Sequence, residues 1–195
     1  MKQLAKYLYY EKLNKISPFL YYLIEYARAA KKVKGTYNLP GNSTRQDLFN
    51  NFLIQSEGKK CLQIGVKEEI GEKFGPNWVS VDKYDTRDFI DYNYDIHTLE
   101  FEDESFDAVV CWSILEHIPH PEIAIKELYR VLKPDGEVWV QLPFLFPYHE
   151  VPKDYWRVTP DGLRVWMDAF KEISCGCDFW AKTSIISAVY YHGSK

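Results

Sequence analysis

Apolar residues change their spacing along this chain, and the change marks its parts. Leu4, Leu8, Leu13 and Ile16 recur at roughly helical intervals. Ser17-Pro18 then supplies an N-cap followed by a proline suited to a first helical turn, so a second helix starts there. It runs through Leu20, Leu23, Ile24 and Ala27 and finishes at Lys31, Lys32 and Lys34 before Gly35, with cations at the negative end of the helix dipole. Residues 35–46 form a polar connection containing Gly and Pro.

From Lys59 onward, short apolar runs alternate with amphipathic stretches. Cys61–Ile64, Trp78–Val81, Phe106–Trp112 and Glu137–Leu142 read as strands, and the 12 residues between Gly65 and Trp78 just accommodate a crossover helix. Phe106–Trp112 is continuously apolar after Asp107, as a strand covered on both faces should be. Pro121–Leu132 reads as a helix with Ile125, Leu128 and Leu132 on one side, and Lys133–Gly136 as the turn after it. Thr159-Pro160 caps a further helix to about Phe170, and Ile173–Phe179 reads as a last strand. The order predicts an α/β fold: a doubly wound, mostly parallel, Rossmann-like sheet over residues 46–195, with a basic helical appendage and linker over residues 1–45. Residues 181–195 are open between strand and helix, and an antiparallel hairpin looks cramped there.

Composition sharpens this picture. The 195 residues leave room for one domain and an appendage, and 46% hydrophobic residues are ample for a core. The net charge of −4 hides a split: residues 1–36 carry eight Lys/Arg against two Glu, a net of +6, so the remainder carries −10. Four cysteines, Cys61, Cys111, Cys175 and Cys177, lack disulfide-framework spacing, and no Cys/His grouping has zinc-finger spacing, so reduced thiols, no metal and a cytoplasmic setting are expected. No apolar run approaches the roughly 20 residues of a membrane span, and the N-terminus lacks a signal-peptide pattern.

In a doubly wound sheet, ligands bind outside the carboxyl ends of the strands. That rule selects the loop at Gly65, the acid Asp82, the segment Trp112–His117 and the loop Pro143–Asp154. Asp82, 17 residues past Gly65, is placed to accept hydrogen bonds from both hydroxyls of an adenosine ribose; the plainer reading is a turn aspartate. Asp95, followed by Ile96, is placed to meet an adenine amino group, or is an ordinary loop aspartate. The loop Gly65–Gly71 lacks G-x-G-x-x-G and puts two glutamates where a pyrophosphate would lie, which disfavours NAD and FAD. A ligand with no phosphate, one carboxylate and a sulfonium fits better, with Lys67 available to the carboxylate; this points to S-adenosylmethionine.

The stretches CLQIG (61–65), WVSVD (78–82), DIHTLEFEDESFDAVVCWSILEHIPHP (95–121), ELYRVLKPDGEVWVQLPF (127–144) and YHEVPKDYWRVTPDGL (148–163) resemble the class I S-adenosylmethionine-dependent methyltransferases. They are most similar to the type-11-like group associated with bacterial surface polysaccharide synthesis. The resemblance implies that the Gly65 loop meets the methionine moiety, Asp82 the ribose, and Asp95 with Ile96 the adenine, while Trp112, Ser113 and Leu115 line the cofactor pocket. The chain departs from the pattern at Gln63, where the family has an acid, and at the glycines after Gly65.

Methyl transfer to a hydroxyl needs the acceptor aligned and relieved of a proton, which suits a histidine. His149, with Glu150 as an orienting partner, is the first candidate and His117 the second; either reads more plainly as a structural histidine. Tyr148, Tyr155 and Arg157 are candidates for holding an acidic or hydroxylated acceptor, against packing and a local ion pair as the plainer roles. The expected function is O-methylation of a sugar or related small hydroxylated acceptor in cell-surface glycan synthesis. The alternative is a noncatalytic scaffold on the same fold. Residues 1–36 either lie peripherally on the inner face of an anionic membrane or pack on the protein; nucleic acid is not an expected partner, and oligomeric state is not specified.

Overall fold

The computed structural model describes residues 45–65, 73–150, 152–179 and 186–195, with Ser17 and Ile24 besides. The predicted helices within residues 1–36, the crossover between Gly65 and Lys73 and the position of Lys67 lie outside the described residues. The chain divides into two units, residues 1–38 with 179–186 and residues 39–178 with 187–195; the second carries the fold described below.

Its elements are α1 (Arg45–Gln55), β1 (Cys61–Ile64), β2 (Trp78–Val81), β3 (Phe106–Trp112), a 3-10 turn at Leu115–His117, α2 (Pro121–Val131), β4 (Leu132–Pro143), α3 (Pro160–Trp166), β5 (Lys171–Phe179) and β6 (Ile186–Ser194). The six strands lie in the order β2-β1-β3-β4-β6-β5. β1 pairs in parallel with both β2 and β3, and β3 with β4, while β6 runs antiparallel to β4 from Glu137↔Ser194 to Pro143↔Ala188. The chain therefore leaves β1 toward β2 on one side and returns to β3 on the other. The crevice between β1 and β3 is the topological switch point of the sheet.

Burial on both faces explains why these runs are strands. Ala108, Val110 and Trp112 of β3 pack with Phe49 and Phe52 of α1, Trp78 and Trp139, while Val109 and Cys111 point the other way and are equally inaccessible. Trp139 stacks on Tyr190 of β6 (centroids 5.1 Å apart) and meets Phe49 at 5.1 Å. α1 is an element that the sequence pattern does not predict. Its apolar residues Leu48, Phe49, Phe52 and Leu53 form a narrow stripe inside a polar segment.

Three boundaries differ from expectation. Lys133–Gly136 belongs to β4 as an irregularity that leaves Phe106 paired with Leu132 and Ala108 with Glu137, and Asp135 takes a left-handed conformation (φ 61°). α3 stops at Trp166, short of Phe170; its N-cap is Thr159, whose Oγ1 accepts from Gly162 N at 3.1 Å. The tail holds β6, which has room because it pairs with the whole outer part of β4.

Candidate functional site

The carboxyl ends of β1 and β2 bring Gly65 and Asp82 side by side, because Ile64 pairs with Val81 and Gly65 N donates to Val81 O at 3.1 Å. Gly65 has φ +77°, and a Cβ there would sit 2.7 Å from Trp112 O and 2.6 Å from the Ile114 side chain. Only glycine suits this backbone and this approach. Gln63, buried, reaches its Nε2 toward Gly65 O (3.5 Å) and accepts from Phe74 N through Oε1 (3.1 Å). The amide thus ties both flanks of the loop, a task needing a donor and an acceptor that an acid would not fill.

Asp82 Oδ1 accepts from the amides of Tyr84 and Asp85, each at 2.9 Å, while Oδ2 has no partner among the described residues. One oxygen thus builds the turn. Asp95 is more fully engaged: Oδ2 accepts from Lys83 Nζ at 2.7 Å, and Oδ1 meets His97 N at 2.9 Å and His97 Nδ1 at 2.7 Å. Burial works against its ionisation, but the Lys83 and His97 hydrogen bonds prevail and hold its pKa at about 2. An adenine amino group would have to compete with these partners. Ile96 beside it is buried at 5% exposure.

The segment after β3 differs from what the resemblance implies. Trp112 is in the aromatic core, with Phe49 at 4.9 Å and the Arg45 guanidinium 5.7 Å from its ring. Leu115 has 0% exposure, so its side chain has no surface to offer a ligand and its role is packing. Ser113, in contrast, is partly exposed, has φ +51° and donates its amide to Gln141 O at 2.9 Å. A non-glycine residue held in this conformation at a strand end is a feature of functional loops.

The loop after β4 is stitched onto the 3-10 turn. Tyr155 N donates to Glu116 O (2.7 Å), Trp156 Nε1 to Ile118 O (2.9 Å), and His117 Nδ1 to Lys153 O (2.6 Å). These bonds bring together two histidines that stand far apart in the chain: the rings of His117 and His149 meet edge to face with centroids 4.8 Å apart. Burial lowers the pKa of His117, opposed by its bond to Lys153 O. His149 Nδ1 lies 3.1 Å from Pro147 O and 3.2 Å from Asp154 Oδ2. The orienting acid of His149 is therefore Asp154, and Glu150 is instead taken by Tyr148 OH at 2.6 Å. In an irregular loop, sequence adjacency does not set proximity.

Arg157 forms a two-pronged pair with Asp154 (2.6 and 2.7 Å) and so is already partnered by an acid; this pairing holds the Asp154 pKa at about 2 against burial. Phe146, Tyr148, Asp154, Tyr155, Trp156 and Arg157 line a shallow pocket of about 300 Å³. Tyr148 and Tyr155 are 70% and 49% exposed at its wall.

Nothing in the sequence marks Glu116, beside His117, as a chemical group in its own right. Its side chain is fully buried, and neither carboxylate oxygen has a hydrogen-bond partner. Burial raises its pKa to about 8, reinforced by the Asp154 charge and opposed by its own amide, the Arg157 charge and the neighbouring Ser113 side chain. Glu127 and Arg130 were also missed: Arg130 binds Glu127, Asp103 Oδ1 (2.8 Å), Phe101 O and Leu99 O, and Glu127 accepts from Leu99 N, which fixes the segment after Asp95 to α2.

Residues 67–140 match the family model described as a methyltransferase domain. The ubiquinone/menaquinone biosynthesis C-methyltransferase UbiE of Bartonella tribocorum is 33% identical over 87 residues, covering 38% of this chain and 33% of that protein. The ubiquinone biosynthesis O-methyltransferase of Xanthomonas oryzae is 36% identical over 72 residues, covering 34% of this chain and 30% of that one. The matched stretch spans about a third of each of these relatives. A crystal structure of an S-adenosylmethionine-dependent methyltransferase from Thermotoga maritima superposes with a TM-score of 0.58 at 16% identity, over 89% of this chain and 96% of that one. The fold is that of class I methyltransferases, and with the family match it supports S-adenosylmethionine as the cofactor.

Proposed function

We propose that this chain is an S-adenosylmethionine-dependent O-methyltransferase whose acceptor lies against the loop after β4. The observation that carries the reading is the meeting of His117 and His149 at the carboxyl end of the sheet, beside an aromatic-walled pocket. The chain fits the cofactor at the carboxyl ends of β1 and β2, where Gly65 and Asp82 stand side by side and Asp82 Oδ2, without a partner among the described residues, is available to a ribose hydroxyl. When bound, S-adenosylmethionine supplies a methyl group on a positively charged sulfur, already activated for transfer.

What remains for the protein is to position the acceptor and take its proton. Pro147 O (3.1 Å) and Asp154 Oδ2 (3.2 Å) lie closer to His149 Nδ1 than the Arg157 guanidinium does (3.4 Å), so they favour the tautomer protonated at Nδ1 and leave Nε2 with its lone pair. That nitrogen would take the hydroxyl proton released as the acceptor oxygen replaces the cofactor's sulfur on the methyl carbon, the sulfur leaving as the neutral thioether. Tyr148, Tyr155 and Trp156 offer faces on which a sugar ring or a related small hydroxylated molecule stacks. A role in surface-glycan synthesis, with peripheral membrane contact through residues 1–36, belongs to the same reading. Among the described residues no helix is long and apolar enough to cross a membrane.

The experiment is methyl transfer from labelled S-adenosylmethionine to a panel of sugars and small hydroxylated compounds. His149→Ala should lower kcat by about a hundredfold with little change in cofactor affinity. Unchanged kcat in that variant overturns the assignment of the base.

A further inference from the structure

Glu116, His117 and His149 each present one ligand atom, and the three atoms lie within 4.8 Å of one another. From the buried carboxylate of Glu116 and these two imidazoles we infer a binding site for one divalent transition-metal ion of the Zn²⁺ class, between the 3-10 turn and the loop after β4.

Three features on the molecule converge on it. The first is the carboxylate: its side chain is wholly inaccessible, yet both oxygens lack a partner, and one lies 3.7 Å from His117 Nε2. A buried group of this kind requires a proton, a water or a cation to satisfy it. The second is the orientation of the imidazoles. His117 donates Nδ1–H to Lys153 O at 2.6 Å, and His149 Nδ1 lies closer to Pro147 O (3.1 Å) and Asp154 Oδ2 (3.2 Å) than to the Arg157 guanidinium (3.4 Å), so on both rings Nδ1–H is favoured and Nε2 keeps the lone pair. A second-shell carbonyl or carboxylate behind the distal nitrogen is the arrangement that fixes metal-bound histidines. The third is charge. Arg157, the nearby cation, is bound by Asp154 through both prongs, which offsets its repulsion of a metal ion.

Two imidazoles and one carboxylate suit borderline ions such as Zn²⁺ or Co²⁺ rather than Mg²⁺ or Ca²⁺, which prefer oxygen ligands. Ligand atoms on a tetrahedral ion stand roughly 3.3 Å apart, from metal–ligand distances of about 2.0–2.1 Å. The widest separation therefore closes by roughly 1.5 Å on binding, which a ring swing of His149, its side chain 28% exposed, supplies from the open side. An ion here takes the lone pairs that otherwise accept a proton, so metal occupancy and free-base chemistry are alternatives at one place.

The test is titration of the full chain, freed of metal by chelator, with Zn²⁺ by calorimetry and with Co²⁺ by visible absorption. One ion per chain and visible Co²⁺ bands characteristic of low coordination are expected. Glu116→Gln, nearly isosteric, and His149→Ala should each weaken binding by about tenfold or more, while His120→Ala, exposed and outside the cluster, should leave it unchanged. Circular dichroism melts of each variant separate lost ligands from lost folding. The inference is overturned if no ion binds more tightly than to the His117→Ala/His149→Ala double variant, or if that folded double variant keeps wild-type affinity. Titration with S-adenosylhomocysteine on the same samples reads the cofactor reading independently, so either fails without the other.

Discussion

Single residues at the strand ends carry opposite kinds of constraint. Gly65 is fixed by geometry: its φ of +77° and the 2.7 Å approach to Trp112 O leave no place for a methyl group. Gly65→Ala should cost about 1–3 kcal/mol, combining left-handed strain with displacement of the Ile114 side chain, and denaturant unfolding measures it. Asp95 is fixed by electrostatics. Its folded pKa of about 2 lies below the unfolded value near 3.8, so the folded state binds fewer protons between these pH values and loses stability as pH falls through them. Because the Lys83–Asp95 pair is partly exposed, we expect a contribution of only about 1 kcal/mol above pH 4. Asp95→Asn should flatten the wild-type decline in stability between pH 4 and pH 2, as melts across that range would show. At this scale the sequence was least readable. Residue type and strand-end position pointed to Asp82, His117 and His149, but which acid orients His149, and that Leu115 is sealed in the core, depend on how an irregular loop lies on a 3-10 turn.

Among elements, legibility followed burial. β1, β3 after Asp107 and the outer part of β4 are buried on both faces, so runs apolar but for Gln63 and Gln141 gave them away. α1 escaped because its apolar stripe is interrupted by polar residues, although Phe49 and Phe52 are among the most buried aromatics. β6 escaped for a different reason: Ile186–Ser194 is confirmed as a strand only by its long antiparallel register with β4. The join between α2 and the segment after Asp95 was equally hidden, since charged residues in a helix read as solvated until their partners are known. Arg130 satisfies Leu99 O, Phe101 O, Asp103 and Glu127 at once. Arg130→Ala should therefore destabilise the chain by about 2–4 kcal/mol, several times the cost of an isolated surface pair, and chemical denaturation gives the value.

For the molecule as a whole, the split between a +6 N-terminal segment and a −10 remainder coincides with a change from helical periodicity to alternating strands and helices. The acidic part holds the six-stranded sheet, its switch point between β1 and β3, and both histidines. The order of elements was readable because each strand is local; the site was readable only as a set of strand ends, because it forms where distant loops meet. The proposed function requires that the crevice at Gly65 and Asp82 bind S-adenosylmethionine. Calorimetric titration of the full chain with S-adenosylhomocysteine, wild type against Asp82→Ala, tests this most directly. The account predicts one binding event per chain, weakened about tenfold or more when the Asp82 carboxylate is removed, as loss of charge-assisted hydrogen bonds of about 1.5–3 kcal/mol requires. No binding at millimolar ligand, or equal affinity in the two proteins, would contradict it.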